Sequence, residues 1–142
     1  MTTSESAAKY VLDSFAVLAL LQGEPAGKAV QEILEEAASG RVDVSMSVIN
    51  LGEVMYLTER RRGAAVAGAA LAYVEQLPVR IVDADRAGTL RAASVKANYR
   101  VAYADAFAVS LARELGAVLV TGDPEFREVE DLVSVRWLER SR

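Results

Sequence analysis

Strand-like and helix-like stretches alternate along this chain, and that order constrains its fold more than any other feature. Short apolar or β-branched runs occur at Tyr10-Val11-Leu12, Val42-Asp43-Val44, Val79-Arg80-Ile81-Val82, Ala117-Val118-Leu119-Val120 and Val133-Ser134-Val135. Each is too short to be a helix of its own, so these are five strand candidates. The stretches 14–21, 26–39, 47–62, 64–76, 85–97 and 103–115 between them have helical character, several opening at Ser, Asp or Pro and closing near Gly. Such alternation predicts an α/β fold, a mostly parallel five-stranded sheet flanked by helices on both faces, with sites at the carboxyl ends of the strands. Residues 1–8 are small and polar without an apolar period and are expected to form a loose arm, leaving 9–142 as one domain. A length of 142 residues with 52% hydrophobic content suits one buried core and leaves no room for a second.

Composition then narrows the chemistry. The chain has no cysteine and no histidine, which removes disulfides, thiolate catalysis, Ser-His-Asp chemistry and the common zinc sites. Any catalysis must rest on carboxylates. The net charge of -4 disfavours nucleic acid over the surface as a whole, so contact with RNA would have to be local. The opening MTTSESAAK lacks the layout of a signal peptide, and the longest apolar run, Phe15 to Leu21, is too short to span a bilayer. A cytoplasmic protein without membrane partners is expected.

Four acids stand out. Asp13 follows the strand Tyr10-Val11-Leu12 directly, where it serves either as a helix N-cap or as a strand-end ligand. Glu53 lies in a helix with Ile49, Asn50, Tyr56 and Leu57 one turn away and no basic neighbour, which suits an acid at the core rim or one with a distant partner. Asp105 opens a helix free of other charge up to Arg113. It caps that helix only if the first turn starts later than expected. Asp123 follows the strand ending at Val120 and precedes Pro124, a good start for a short helix 124–128, so capping is the stronger explanation of this residue taken alone, and both roles can coexist.

One strand-end cluster explains all four together. Four carboxylates in one cleft repel one another unless cations neutralise them, and an all-oxygen set suits Mg²⁺ or Mn²⁺. One or two such ions are equipped to activate water and stabilise a leaving oxygen in phosphodiester cleavage. The chemistry expected is that of a nuclease.

In this order the motifs resemble those of PIN domains, and within them the VapC-type toxins of toxin–antitoxin pairs, over nearly the whole chain. The strand ending in Asp then Ser is similar to Val11-Leu12-Asp13-Ser14, the helical Glu to the segment from Ser47 to Glu53, and the third acid to Tyr103-Ala104-Asp105-Ala106. The last motif resembles Thr121-Gly122-Asp123 followed by Phe126, and the acids lie 40, 52 and 18 residues apart, as in compact PIN toxins. Many relatives carry a further Asp where this chain has Glu125, which is therefore not counted as a ligand.

The resemblance implies a metal-dependent endoribonuclease with Asp13, Asp105 and Asp123 as metal ligands. It makes Glu53 a ligand through water or the acid nearest the activated water, with Ser14 and Thr121 in support. It also implies an RNA substrate, a homodimer, and a VapB-type antitoxin that inserts a basic side chain into the acidic cleft.

Arg60-Arg61-Arg62 ends the Glu53 helix, where cations suit the helix dipole, and Arg60, Lys96 or Arg100 are alternatives for a phosphate contact. The apolar stretch 64–76 exceeds what one core-facing stripe needs, so it is either a packed core helix or a dimer or antitoxin surface. Two rival readings are a catalytically silent binding module with its acids as caps, and a phosphotransfer domain. The second needs a Lys late in the chain, and none follows Lys96.

Overall fold

The computed structural model describes residues 7–139. Five strands form one sheet in the order β3-β2-β1-β4-β5, every neighbouring pair parallel: β1 (Ala8–Leu12), β2 (Val42–Ser47), β3 (Arg80–Val82), β4 (Val118–Thr121) and β5 (Val135–Trp137). The helices are α1 (Ser14–Leu21), α2 (Pro25–Ala38), α3 (Val48–Arg62), α4 (Ala64–Glu75), α5 (Arg86–Asn98) and α6 (Tyr103–Leu115), and a 3-10 turn spans Pro124–Val129. The expected elements are present in the expected order. The sheet is wholly parallel where mostly parallel was expected, and the short helix expected over 124–128 is a 3-10 turn. Ala8, assigned from sequence to the arm, already pairs with Val42 in β1; residues 1–6 lie outside the described residues.

Side chains alternate across a strand, so each central strand serves both faces of the sheet. Leu12 and Val120 point into a core with α1, α2 and α3, while Val11 and Leu119 point into a second core with α5 and α6. Strands buried on both sides read as continuous apolar runs, as Tyr10-Val11-Leu12 and Val118-Leu119-Val120 do. Helix α6 is buried along Asp105–Ala112 and ends at Gly116, whose φ of +63° suits a left-handed cap. Gly27 lets α2 press on α1, since a Cβ there would lie 2.7 Å from the Ala19 carbonyl oxygen. Helix α4 buries only Ala67 and Val74 and leaves Val66 and Tyr73 exposed. Among the described residues no helix is long and apolar enough to cross a membrane.

The strand order positions the site. The chain runs from β1 outward through β2 and β3, then returns to lay β4 on the other side of β1. Where the direction of progression reverses, the connections leaving the carboxyl ends of β1 and β4 diverge and open a crevice. Leu12 and Val120 are paired across it, so Asp13 and the segment Thr121-Gly122-Asp123 emerge side by side.

Candidate active site

Asp13 is the N-cap of α1 and also lines the crevice. One carboxylate oxygen, Oδ1, accepts from the Ala16 backbone N–H at 2.9 Å, and Oδ2 accepts from the Thr121 hydroxyl. Burial raises its pKa from 3.8 to about 7; the Thr121 and Ala16 hydrogen bonds oppose the rise, and the charges of Asp123 and Glu53 add to it.

Asp123 likewise combines two roles. Its Oδ1 accepts from the Glu125 N–H at 2.9 Å, capping the 3-10 turn, while its own N–H donates to Thr121 Oγ1 at 3.0 Å. Thr121, fully buried, therefore joins the two strand-end aspartates through a single hydroxyl.

Asp105 does not cap α6. It sits in the first helical turn, and the N-cap position belongs to Ala102, which has no side-chain oxygen to offer. The missing cap comes from elsewhere in the chain, because the Glu125 carboxylate accepts from the Ala102 N–H. Burial lifts the pKa of Asp105 from 3.8 to about 8, followed in effect by the negative charges of Asp13, Glu125, Asp123 and Glu53. The amino end of α6 contributes partial positive charge there, as helix termini do for anions.

Glu53 reaches the same crevice from α3. It has the distant partner that its uncharged surroundings implied, but a hydroxyl rather than a cation: Ser14 Oγ donates to Glu53 Oε1 at 2.5 Å. Asn50, one turn earlier and fully buried, binds Ser14 and the Ala104 carbonyl. In the sequence Asn50 stands out only as a neighbour of Glu53, and its one local signal is an amide within an apolar helix turn.

The structure thus gathers all four predicted acids at one end of the sheet and adds Glu125. Carboxylate oxygens of Asp105, Asp123 and Glu125 all lie within 4.8 Å of one another. Among the described residues, no Lys or Arg forms a salt bridge with any of the five acids; the pair present joins Arg91 to Glu114. Lys96, considered for phosphate contact, spends its ammonium on the Val101 carbonyl at 2.8 Å, and Arg60 lies over the Tyr56 ring at 5.2 Å. Close carboxylates without a salt-bridge partner, Asp13 and Asp105 among them with raised pKa values, make the all-oxygen donor set that suits a hard divalent cation, so these residues fit one.

Solved structures with the same fold include VapBC2 from Rickettsia felis bound to a DNA fragment from its promoter. That match has a TM-score of 0.71 at 18% identity and covers 92% of this chain and 99% of that one. The sarcin-ricin loop cleaving toxin VapC20 from Mycobacterium tuberculosis matches with a TM-score of 0.68 at 23% identity, covering 89% and 98%. DNA-bound VapBC from Salmonella typhimurium matches at 0.65 and 19%, covering 91% and 97%. No curated protein sequence matches significantly. The family profile described as PIN domain matches residues 10–132, which takes in all five acids. The chain belongs to the PIN-domain family.

Proposed function

We propose that this protein is a metal-dependent endoribonuclease and the toxin of a VapC-type toxin–antitoxin pair. The observation that carries the reading is the convergence of Asp105, Asp123 and Glu125 within 4.8 Å, none of them in a salt bridge among the described residues. These three would share one Mg²⁺ or Mn²⁺. Asp13 would join them, since each of its oxygens keeps a lone pair beyond its single hydrogen bond. A bound divalent ion supplies an acidified water and neutralises charge on a scissile phosphate and its leaving oxygen. Glu53, whose Oε1 accepts from Ser14, would receive a proton at Oε2. Thr121 keeps Asp13 and the Asp123 backbone in register.

The fold relatives support an RNA substrate and a VapB-type partner, because one is described as cleaving the sarcin-ricin loop and others as VapBC. The apolar face of α4 agrees with a further partner. A groove of about 550 Å³ lies beside it, lined by Leu18, Leu21, Val66, Ala69 and Ala70 and rimmed by Arg61 and Arg62. Antitoxin and a second copy of the chain are the occupants this reading assigns to the apolar surfaces.

Incubation of the purified protein with structured RNAs in Mg²⁺ or Mn²⁺, with and without EDTA, tests the proposal. Cleavage that stops in EDTA is expected. Cleavage that survives EDTA would exclude the metal-dependent reaction, and none on any RNA would leave a silent binding module.

A further inference from the structure

Asn50 is 0% exposed, on a turn of α3 whose neighbours Leu51 and Val54 are core residues. An amide in such a place needs a reason, because it brings two donors and an acceptor that must be satisfied away from water. Its Nδ2 donates to the Ala104 carbonyl at 3.1 Å and lies 3.4 Å from Ser14 Oγ. The Ala104 carbonyl fixes the orientation of the amide, since the flipped form would set two oxygens against each other. In that orientation Oδ1 has no hydrogen-bond partner.

Stability alone would not select this residue. The Ala104 carbonyl already belongs to the first turn of α6, and an apolar side chain of the same size would leave no orphaned acceptor. What the amide does is join three segments, each carrying one of the acids: Ser14 follows Asp13, Ala104 precedes Asp105, and Asn50 stands one turn before Glu53. Ser14 Oγ lies 3.2 Å from the Asn50 carbonyl oxygen and 2.5 Å from Glu53 Oε1, yet it has one proton to give. A donor from Nδ2 occupies a hydroxyl lone pair and turns the proton toward the Asn50 carbonyl and Glu53, of which the Glu53 contact is much the shorter.

We infer that Asn50 is a positioning residue that fixes Glu53 and Asp105 relative to each other, through the Ser14 hydroxyl on one side and the Ala104 carbonyl on the other. The inference rests on the nuclease reading for its catalytic consequence, but its effect on the metal site can be measured without cleavage. Loss of such an outer support of a metal site typically costs about 10–100-fold in metal affinity or activity.

The test compares wild type with Asn50→Leu, Asn50→Ala and Ser14→Ala. Mn²⁺ affinity is measured by calorimetric titration, kcat and KM on a cleaved RNA, and melting temperature in EDTA. Expected are a fall of about 10-fold or more in Mn²⁺ affinity or kcat for Asn50→Leu, KM nearly unchanged, and a melting temperature equal to wild type or higher. Asn50→Ala keeps the comparison open should leucine fail to fit. Ser14→Ala should reproduce the kcat loss and add little to it in the double variant, because the two act through one hydroxyl. Folded Asn50 variants with both Mn²⁺ affinity and kcat within about twofold of wild type would overturn the inference, as would losses that only track a lowered melting temperature. If wild type binds Mn²⁺ but cleaves no RNA, the nuclease reading fails while the affinity comparison still decides the role of Asn50. Wild type that binds no Mn²⁺ would overturn both.

Discussion

The Thr121 hydroxyl at the end of β4 donates to the buried carboxylate of Asp13 at the end of β1, tying the two strands on either side of the crevice. The same oxygen accepts the Asp123 N–H, so one side chain sets the spacing of two acids. Thr121→Val keeps the shape and removes both contacts. It should destabilise the metal-free protein by about 1–3 kcal/mol, the usual cost of leaving buried polar groups unpaired. Because that hydrogen bond holds the Asp13 pKa down, the penalty should be larger at pH 9 than at pH 5. Urea melts in EDTA at the two values check this, with Thr121→Ser expected to lie near wild type.

The acids also predict how the whole metal-free fold responds to pH. Asp13 and Asp105 have folded pKa values raised from 3.8 to about 7 and about 8, so between those limits the folded chain binds more protons than the unfolded one. Their contribution to stability is full below about pH 4 and is lost as pH rises through about 7 to 8. Stability in EDTA should therefore fall across that window. Saturating Mn²⁺ should lessen the fall, and its binding near pH 7 should release protons, measurable as a dependence of calorimetric heat on buffer ionisation.

Glu125 combines two functions that substitution can separate. Its carboxylate caps Ala102 at the start of α6 and stands within 4.8 Å of Asp105 and Asp123 oxygens. Glu125→Gln keeps an acceptor for Ala102 while removing the charge, so it should weaken Mn²⁺ binding with little loss of stability. Glu125→Ala should lose both, with about 0.5–2 kcal/mol of stability going with the cap. Metal titrations and melts on the pair distinguish ligand from cap.

Gly122 gives access to the Asp123 loop from the other side. A Cβ at this position would lie 2.4 Å from the Phe15 ring, a distance no packed pair tolerates. Gly122→Ala must push the ring or the loop, with an expected cost of about 1–3 kcal/mol as for other overpacked sites. Cleavage should fall as well, since the displaced loop carries Asp123. Combining it with Phe15→Leu should recover part of both, read by melting and by RNA turnover.

What could be read from the sequence depended on how local each cause is. The runs Tyr10-Val11-Leu12 and Val118-Leu119-Val120 announced buried parallel strands because burial on both faces writes itself into consecutive residues. Asp13 and Asp123 were visible as strand-end residues, and both prove to be caps and crevice residues at once. Glu125 is left out of the ligand set by sequence because it departs from the Asp of similar chains, and its contact with Ala102, 23 residues away, has no signal at either position. Asn50 stayed in the background for the same reason: its partners Ser14 and Ala104 come from two other helices. The apolar excess of α4 is legible in the sequence and persists in the fold, with Val66 and Tyr73 exposed.

Asp105→Asn decides whether the acidic crevice is a metal-dependent nuclease site, because Asn keeps the size and removes the charge. Asp105 is buried among four other carboxylates, so in EDTA near pH 8 the variant should melt at or above the wild-type temperature. The decisive measurement is its rate of RNA cleavage in Mn²⁺ beside wild type on the same substrate. EDTA-sensitive cleavage by wild type is expected, with cleavage reduced to background in the folded variant. Wild-type turnover by folded Asp105→Asn would contradict the nuclease reading.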